Sequence, residues 1–375
     1  MEPDGREVSM PMPKQAWGPV VATEYWHRLE DGRVQCDVCP RFCVLREGQR
    51  GLCFVRARLN DRIVLTTYGR SSGFCVDPIE KKPLNHYLPG TAVLSFGTEG
   101  CNLSCLFCQN WDISKSREIA TLADEASPEL IARAAKRLGC RSVAFTYNDP
   151  TIFLEYASDV AAACHELGIA TVAVTAGYIC EQPRESFYRH IDAANVDLKA
   201  FTEKFYREIT GAHLQPVLDT LVYLKKQTNV WLEITNLVIP GHNDSDEEIA
   251  GMTRWIVENL GPDVPLHFTA FHPDWKMRDV PPTPPATLSH ARRIALEAGV
   301  RYAYTGNVQD PEGGSTFCHV CAAELIGRDG YELTAWTLES GRCGSCGEPC
   351  PGRFEERPGQ WGARRLPIRL KDFAA

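Results

Sequence analysis

Short apolar runs alternate with amphipathic stretches through the middle of this 375-residue chain. The runs are Ala92–Phe96, Ser142–Tyr147, Ala170–Thr175, Val196–Lys199, Val230–Ile239 and Leu266–Phe271. They have the length and residue types of strands buried on both faces. Between them, apolar residues recur at helical spacing over 128–138, 154–167, 217–227 and 246–260. Pro128 stands just inside one helix start and Gly139 just past its end, the favoured arrangement. Six strand–helix units fit between 92 and 290, and a further such piece ends at Tyr302–Thr305. The pattern predicts an α/β fold with a parallel sheet, a partial (βα)6 TIM-type barrel. A doubly wound open sheet is the alternative, but no glycine-rich dinucleotide fingerprint follows the first strand.

The flanks have a different texture. Residues 1–18 read as a disordered start and 19–90 as a Cys-, Arg- and Gly-rich section with one strand candidate, Ile63–Tyr68. The barrel is expected over 91–310, and a zinc-ribbon-like tail over 311–375. The polar N-terminus lacks the apolar core of a secretory signal, and no run of 18 apolar residues occurs, so the expectation is a cytoplasmic protein with no membrane span. A formal charge of −8 argues against nucleic acid as a partner.

Cysteine changes the picture. There are 16, and twelve fall into three groups, while Cys75, Cys140, Cys164 and Cys180 stand apart and read as small buried hydrophobes. Clustered thiols without a secretion signal point to soft-metal or iron–sulfur ligation rather than disulfides. Cys101, Cys105 and Cys108 follow the first predicted strand. Three thiolates at this spacing can hold three irons of a [4Fe-4S] cluster and leave the fourth open to chelate S-adenosylmethionine (SAM). Phe107 is then placed to lie along the adenine. A structural zinc needs a fourth ligand, and no Cys or His lies within the next 30 residues.

The phrase Gly-Cys-Asn-Leu-Ser-Cys-Leu-Phe-Cys-Gln-Asn-Trp over 100–111 resembles the radical SAM superfamily, in its pyruvate formate-lyase-activating-enzyme-like branch. Asp77-Pro-Ile-Glu-Lys-Lys-Pro-Leu84 and Cys36-x2-Cys-Pro-Arg-x-Cys43 resemble the radical SAM component of the AmmeMemoRadiSam system. The resemblance implies SAM across the open top of the barrel and an electron donor such as flavodoxin or ferredoxin. It assigns Asn148 and Asp149 to the methionine amino group, with Asp149 where the subgroup leads one to expect Glu. Asp197 and Lys199 match a SAM-contacting Asp-x-Lys pair, and Thr175, Asn236 and His272 are weaker candidates at strand ends. Each has a plainer alternative: an internal ion pair for Asp197 and Lys199, a turn residue for Asn148, a loop cap for His272. Lys81 and Lys82 read either as a solvated charge run or as residues at the barrel mouth.

Cys36, Cys39, Cys43 and Cys53 complete a four-thiolate site for zinc or an auxiliary cluster. Cys318-x2-Cys321 and Cys343-x2-Cys346 are paired knuckles that point to zinc, with Asp329-Gly330 as the turn of an intervening hairpin and Cys350 left over. The functional expectation is a SAM-cleaving enzyme that makes a 5′-deoxyadenosyl radical to modify a small molecule handled with partner proteins. The alternatives are an activase that installs a glycyl radical on a partner enzyme, and a non-catalytic zinc-ribbon interaction protein.

Overall fold

The computed structural model describes residues 20–115 and 124–374; the start at 1–18 lies outside them. A ten-stranded sheet dominates. Its antiparallel first strand is β1 (Arg70–Pro78), followed by β2 (Ala92–Gly97), β3 (Ser142–Phe145), β4 (Ala170–Thr175), β5 (Ala193–Asp197), β6 (Trp231–Val238), β7 (Leu266–Ala270) and β8 (Ala303–Gly306). From β2 to β8 every neighbouring pair is parallel and in strict sequence order.

That order decides between the two architectures. Crossovers of one hand put every connecting helix on the same face when strands advance in one direction. A doubly wound sheet reverses direction at a switch point, and this one does not. Among the described residues no ladder joins β8 back to the other edge, so the barrel is partial.

The connecting helices start and stop where local chemistry requires. In α1 (Pro128–Arg137), the Ser127 hydroxyl accepts from the Leu130 N–H and proline occupies the first turn. α2 (Leu154–Glu166) turns Tyr156, Ala157, Val160 and Cys164 onto the sheet, where Phe96, Phe145 and Phe153 form an aromatic cluster. α3 (Glu181–Tyr188), α4 (Gln215–Gln227), α5 (Asp246–Leu260) and α6 (Pro285–Glu297) complete the set. α5 is capped by Ser245, and three acidic residues in its first turn complement the helix dipole.

The other face of the sheet is filled from within the chain. Residues after β1 plug the barrel floor: Ile79, Leu84 and Tyr87 pack on Val93, Ala144, Val172 and Ala193. Glu233, fully buried, accepts the backbone N–H groups of Asn85 (2.9 Å) and His86 (2.8 Å), and Asn195 donates to the Pro83 carbonyl.

Three expectations shift. The Cys-rich section contains two small three-stranded antiparallel sheets rather than one strand, and its last stretch, β1, belongs to the barrel sheet. The fifth strand starts at Ala193, not Val196, because Ala-Ala-Asn carries little apolar signal. The tail does not stay with the ribbon: Leu366 and Pro367 return to pair with Val76 and Cys75 of β1. No helix is long and apolar enough to cross a membrane among the described residues.

Candidate active site

The C-terminal ends of the parallel strands surround a cavity of about 710 Å³. Cys101, Cys105 and Cys108 line it, together with Phe107, Thr146, Asn148, Asp149, Thr175, Asp197 and Lys199. The cysteine loop leaves β2 and lies against the end of β3. A Cβ on Gly97 would sit 2.5 Å from the Thr146 carbonyl oxygen, so the crossing needs glycine. Cys108 Sγ is 3.1 Å from Ser114 Oγ, and the Leu103 N–H points at Cys101 Sγ (3.5 Å).

Charge is arranged around these thiols. Burial raises the Cys105 thiol to about 12, with the Lys199 ammonium opposing it. Burial also works against the charge on Lys199, but Asp197 outweighs it, at 2.8 Å, and holds the ammonium firmly protonated. Lys199 Nζ stands 5.7 Å from the centre of the Phe107 ring, which packs on Phe205. Cation, aromatic face and Cys105 therefore share one wall.

Asp149 and Asn148 face the cavity but already have partners. Asp149 accepts from Thr151 N–H, Thr175 Oγ1 and Ala176 N–H. Burial raises its pKa, against those hydrogen bonds. The Asn148 amide donates to the Gly100 carbonyl at 2.9 Å, and Thr98 N–H donates to its oxygen.

Two candidates are not brought to the cavity. Asn236 turns to the opposite side of β6 and donates to the Leu198 carbonyl. His272 is exposed beyond the end of β7, displaced by the turn into Pro273.

The facing wall holds residues whose role the sequence left undecided or did not signal. Lys82 is nearly fully buried, 2.8 Å from Asp77, which has no exposure, and Lys81 adds a second contact at 3.2 Å. Burial pushes the Asp77 carboxyl up, yet the two ammonium groups prevail and lower it. Lys81 and Lys82 therefore reach into the cavity from the barrel floor, neither a solvated run nor residues of the mouth. Arg328, Gly330 and Tyr331 reach in from the tail hairpin, a contribution that only the tertiary fold reveals. The hydroxyls of Tyr147 and Thr235 and one oxygen of Glu80 are buried on this lining without a hydrogen-bond partner among the described residues. A hollow of this size, lined by charged and polar side chains, fits a polar ligand.

The tail quartet is compact. Cys318, Cys321, Cys343 and Cys346 have sulfurs within 4.8 Å of one another, with Cys318–Cys346 and Cys321–Cys343 each 3.6 Å apart. Four thiolates on one zinc, with bonds near 2.3 Å, stand about 3.8 Å apart, so the set fits a zinc-ribbon-like module. Cys350 lies outside it, against His86 at 3.9 Å. The hairpin turn is one residue later than expected, since Asp329 pairs with Glu332 and leaves Gly330–Tyr331 as the loop. Cys36, Cys39, Cys43 and Cys53 line a separate, smaller hollow. Of the lone cysteines, Cys75, Cys140 and Cys164 are buried and Cys180 is half-buried.

Residues 96–253 match the model of the radical SAM superfamily. An uncharacterized protein of Methanocaldococcus jannaschii is 40% identical over 326 residues, spanning 86% of this chain and 97% of its own length. The pyruvate formate-lyase-activating enzyme of Clostridium pasteurianum is 26% identical over 211 residues, 51% of this chain and 84% of that enzyme. Among solved structures, a radical SAM methyltransferase from Sphaerobacter thermophilus aligns with a TM-score of 0.47 at 14% identity, covering 76% of each chain. Membership in this superfamily implies a [4Fe-4S] cluster and SAM. With the cysteine loop at the mouth of a sequentially ordered parallel barrel, the family match and the two sequence relatives make the chain a member of the radical SAM superfamily, related to the pyruvate formate-lyase-activating enzymes.

Proposed function

We propose that Cys101, Cys105 and Cys108 hold the [4Fe-4S] cluster, and that the chain binds SAM beside it and modifies a substrate in the same cavity. The single observation that carries this reading is the shared lining: the three thiols, Phe107, Asp197 and Lys199 surround one hollow. The cluster and SAM together supply reductive C–S cleavage and a 5′-deoxyadenosyl radical.

The chain's own residues do the rest. Lys199, held protonated by Asp197, offsets thiolate charge at Cys105 and presents a donor to a carboxylate. Phe107 offers an apolar face for a nucleobase. Asp149, braced by the Thr175 hydroxyl and the Thr151 and Ala176 N–H groups that donate to it, is a carboxylate that suits an ammonium group.

We favour a small-molecule substrate. Lys81 and Lys82 share one carboxylate, Asp77, and Arg328 stands 3.9 Å from Glu80, so this part of the lining keeps one positive charge in excess, which suits an anionic group. Part of that lining comes from the tail hairpin, fixed within this chain. A low-potential ferredoxin or flavodoxin is the expected electron donor. The relatives include activases, among them the 4-hydroxyphenylacetate decarboxylase activating enzyme of Clostridioides difficile, at 28% identity over 118 residues. Installing a glycyl radical on a partner is therefore the second reading.

Mass spectrometry of SAM products after dithionite reduction tests the chemistry, and 5′-deoxyadenosine is expected. An aminocarboxypropyl product would mean that a different C–S bond breaks. EPR of the reduced chain mixed with a candidate glycyl radical enzyme separates the substrates: a glycyl doublet supports activation, and its absence supports the small molecule.

A further inference from the structure

The N-terminal cysteine group is not spent by the reading above. Cys36, Cys39, Cys43 and Cys53 line one hollow with Arg41, Arg56 and Asn102. Two tight turns present the thiols: Phe42 N–H donates to the Cys39 carbonyl, and Phe54 N–H to that of Gly51, with Phe42 and Phe54 at positive φ. Disulfides are absent among these cysteines.

Spacing separates the candidate metals. Among the described residues only the tail quartet gathers its ligand sulfurs within 4.8 Å, the geometry of one zinc. The N-terminal four surround a hollow without closing to that spacing, as do Cys101, Cys105 and Cys108. Ligands of a cubane sit on separate irons and stand much farther apart than four ligands on a single ion.

The surrounding charge fits a cluster as well. Arg56 is 2% exposed; two of its nitrogens hold Glu155, and its Nε is buried without a hydrogen-bond partner. Arg41 donates through Nε to the Asn102 carbonyl, and one of its terminal nitrogens is likewise unsatisfied. Both side chains line the hollow, where a sulfide or thiolate acceptor would satisfy the Arg56 N–H; the free terminal nitrogen of Arg41 lies instead toward Gly211.

The two sites share a wall. Asn102 lines the N-terminal hollow, while its neighbours Cys101 and Leu103 line the main cavity. Gly100 lies so close to the Cys53 carbonyl that a Cβ there would come within 1.9 Å of the oxygen. Phe42 and Leu52, each 47% exposed, adjoin Cys43 and Cys53 in sequence, so the hollow also lies near the protein surface.

We infer that Cys36, Cys39, Cys43 and Cys53 hold a second [4Fe-4S] cluster, which passes electrons to the one in the barrel. A reduced ferredoxin or flavodoxin gives up one electron to the outer cluster. That electron then moves to the barrel cluster and leaves the outer one oxidised again. No bond is made or broken in the relay. The relay role rests on the proposed function; the metal assignment does not.

The test is metal analysis and EPR on the anaerobically reconstituted full chain and two variants. The whole chain should hold about eight irons. The Cys101→Ala/Cys105→Ala/Cys108→Ala variant should keep about four, with a reduced-state signal that SAM does not alter. The Cys36→Ser/Cys53→Ser variant should lose the outer cluster and keep a signal that SAM shifts. The doubly reduced whole chain should show magnetic coupling absent from the sum of the two variant spectra.

About four irons and two zincs in the unmodified chain would overturn the inference without recourse to any variant. So would a triple variant free of iron but folded by circular dichroism. Two uncoupled clusters would overturn the relay alone. A SAM-insensitive barrel signal with the iron count intact would instead count against the proposed function.

Discussion

Asn148 holds the carbonyl of Gly100, the residue just before the first cysteine of the triad, through its side-chain amide at 2.9 Å. The same amide group lies 3.2 Å from Thr98 Oγ1, and its oxygen accepts from Thr98 N–H. The residue expected to meet the methionine amino group thus positions the loop that carries the thiols.

Asn148→Ala should therefore weaken the loop before it affects any ligand. Leaving buried backbone groups unpaired costs about 1–3 kcal/mol. Thermal unfolding should fall accordingly, and iron retention on gel filtration should fall with it. Wild-type stability together with full iron retention would remove Asn148 from this role.

The Asp77–Lys82 pair gives a larger effect. Lys82→Met leaves a carboxylate buried, and losing one partner of such a pair costs about 3–5 kcal/mol. Urea unfolding should show it, and Asp77→Leu combined with Lys82→Met should recover much of the loss. A single variant as mild as a surface substitution would mean that Lys81 or water can replace Lys82.

His86 gives the floor of the barrel a pH dependence. Burial lowers its pKa from 6.5 to about 4, with Glu233 opposing that shift. Its ring bonds Tyr304 OH and the Pro351 carbonyl, and His267, Arg328, Trp231, Tyr302 and Cys350 face it. Between pH 4 and 6.5 the unfolded chain binds a proton that the folded chain refuses, so stability rises with pH there and is lost as pH falls. The contribution is about 3 kcal/mol across that window. Comparing unfolding of the wild type and His86→Gln at pH 4.5 and 7 isolates it. Parallel profiles would show that the ring is not the group responsible.

The tail quartet should bind one zinc per chain. Cys343→Ser should abolish that zinc and expose 316–350 to protease while the barrel core remains protected, because the hairpin has only a small core of its own. A zinc-free tail that resists cleavage would make the quartet dispensable.

The barrel was legible in the sequence because its strands are short apolar runs with helices of standard length between them. The cysteine groups were legible because ligand spacing is local. What failed to show depended on contacts distant in sequence. Asn236 and His272 lie near strand ends, but the pleat turns one away from the cavity and a turn carries the other out. Arg328 and Tyr331 reach the same hollow from a module more than 200 residues past the triad, and no local pattern announces that. The plug at 79–91 carries little periodicity, since its order comes from Glu233 and Asn195 on the strands around it.

The central claim is that three thiols on the first barrel loop hold the cluster that splits SAM. Quantifying 5′-deoxyadenosine from dithionite-reduced wild type and from Cys101→Ala, Cys105→Ala and Cys108→Ala tests it most directly. The account predicts product from the wild type and only background from each variant, although iron at the N-terminal site remains. Cleavage at the wild-type rate by any one of these variants would contradict it.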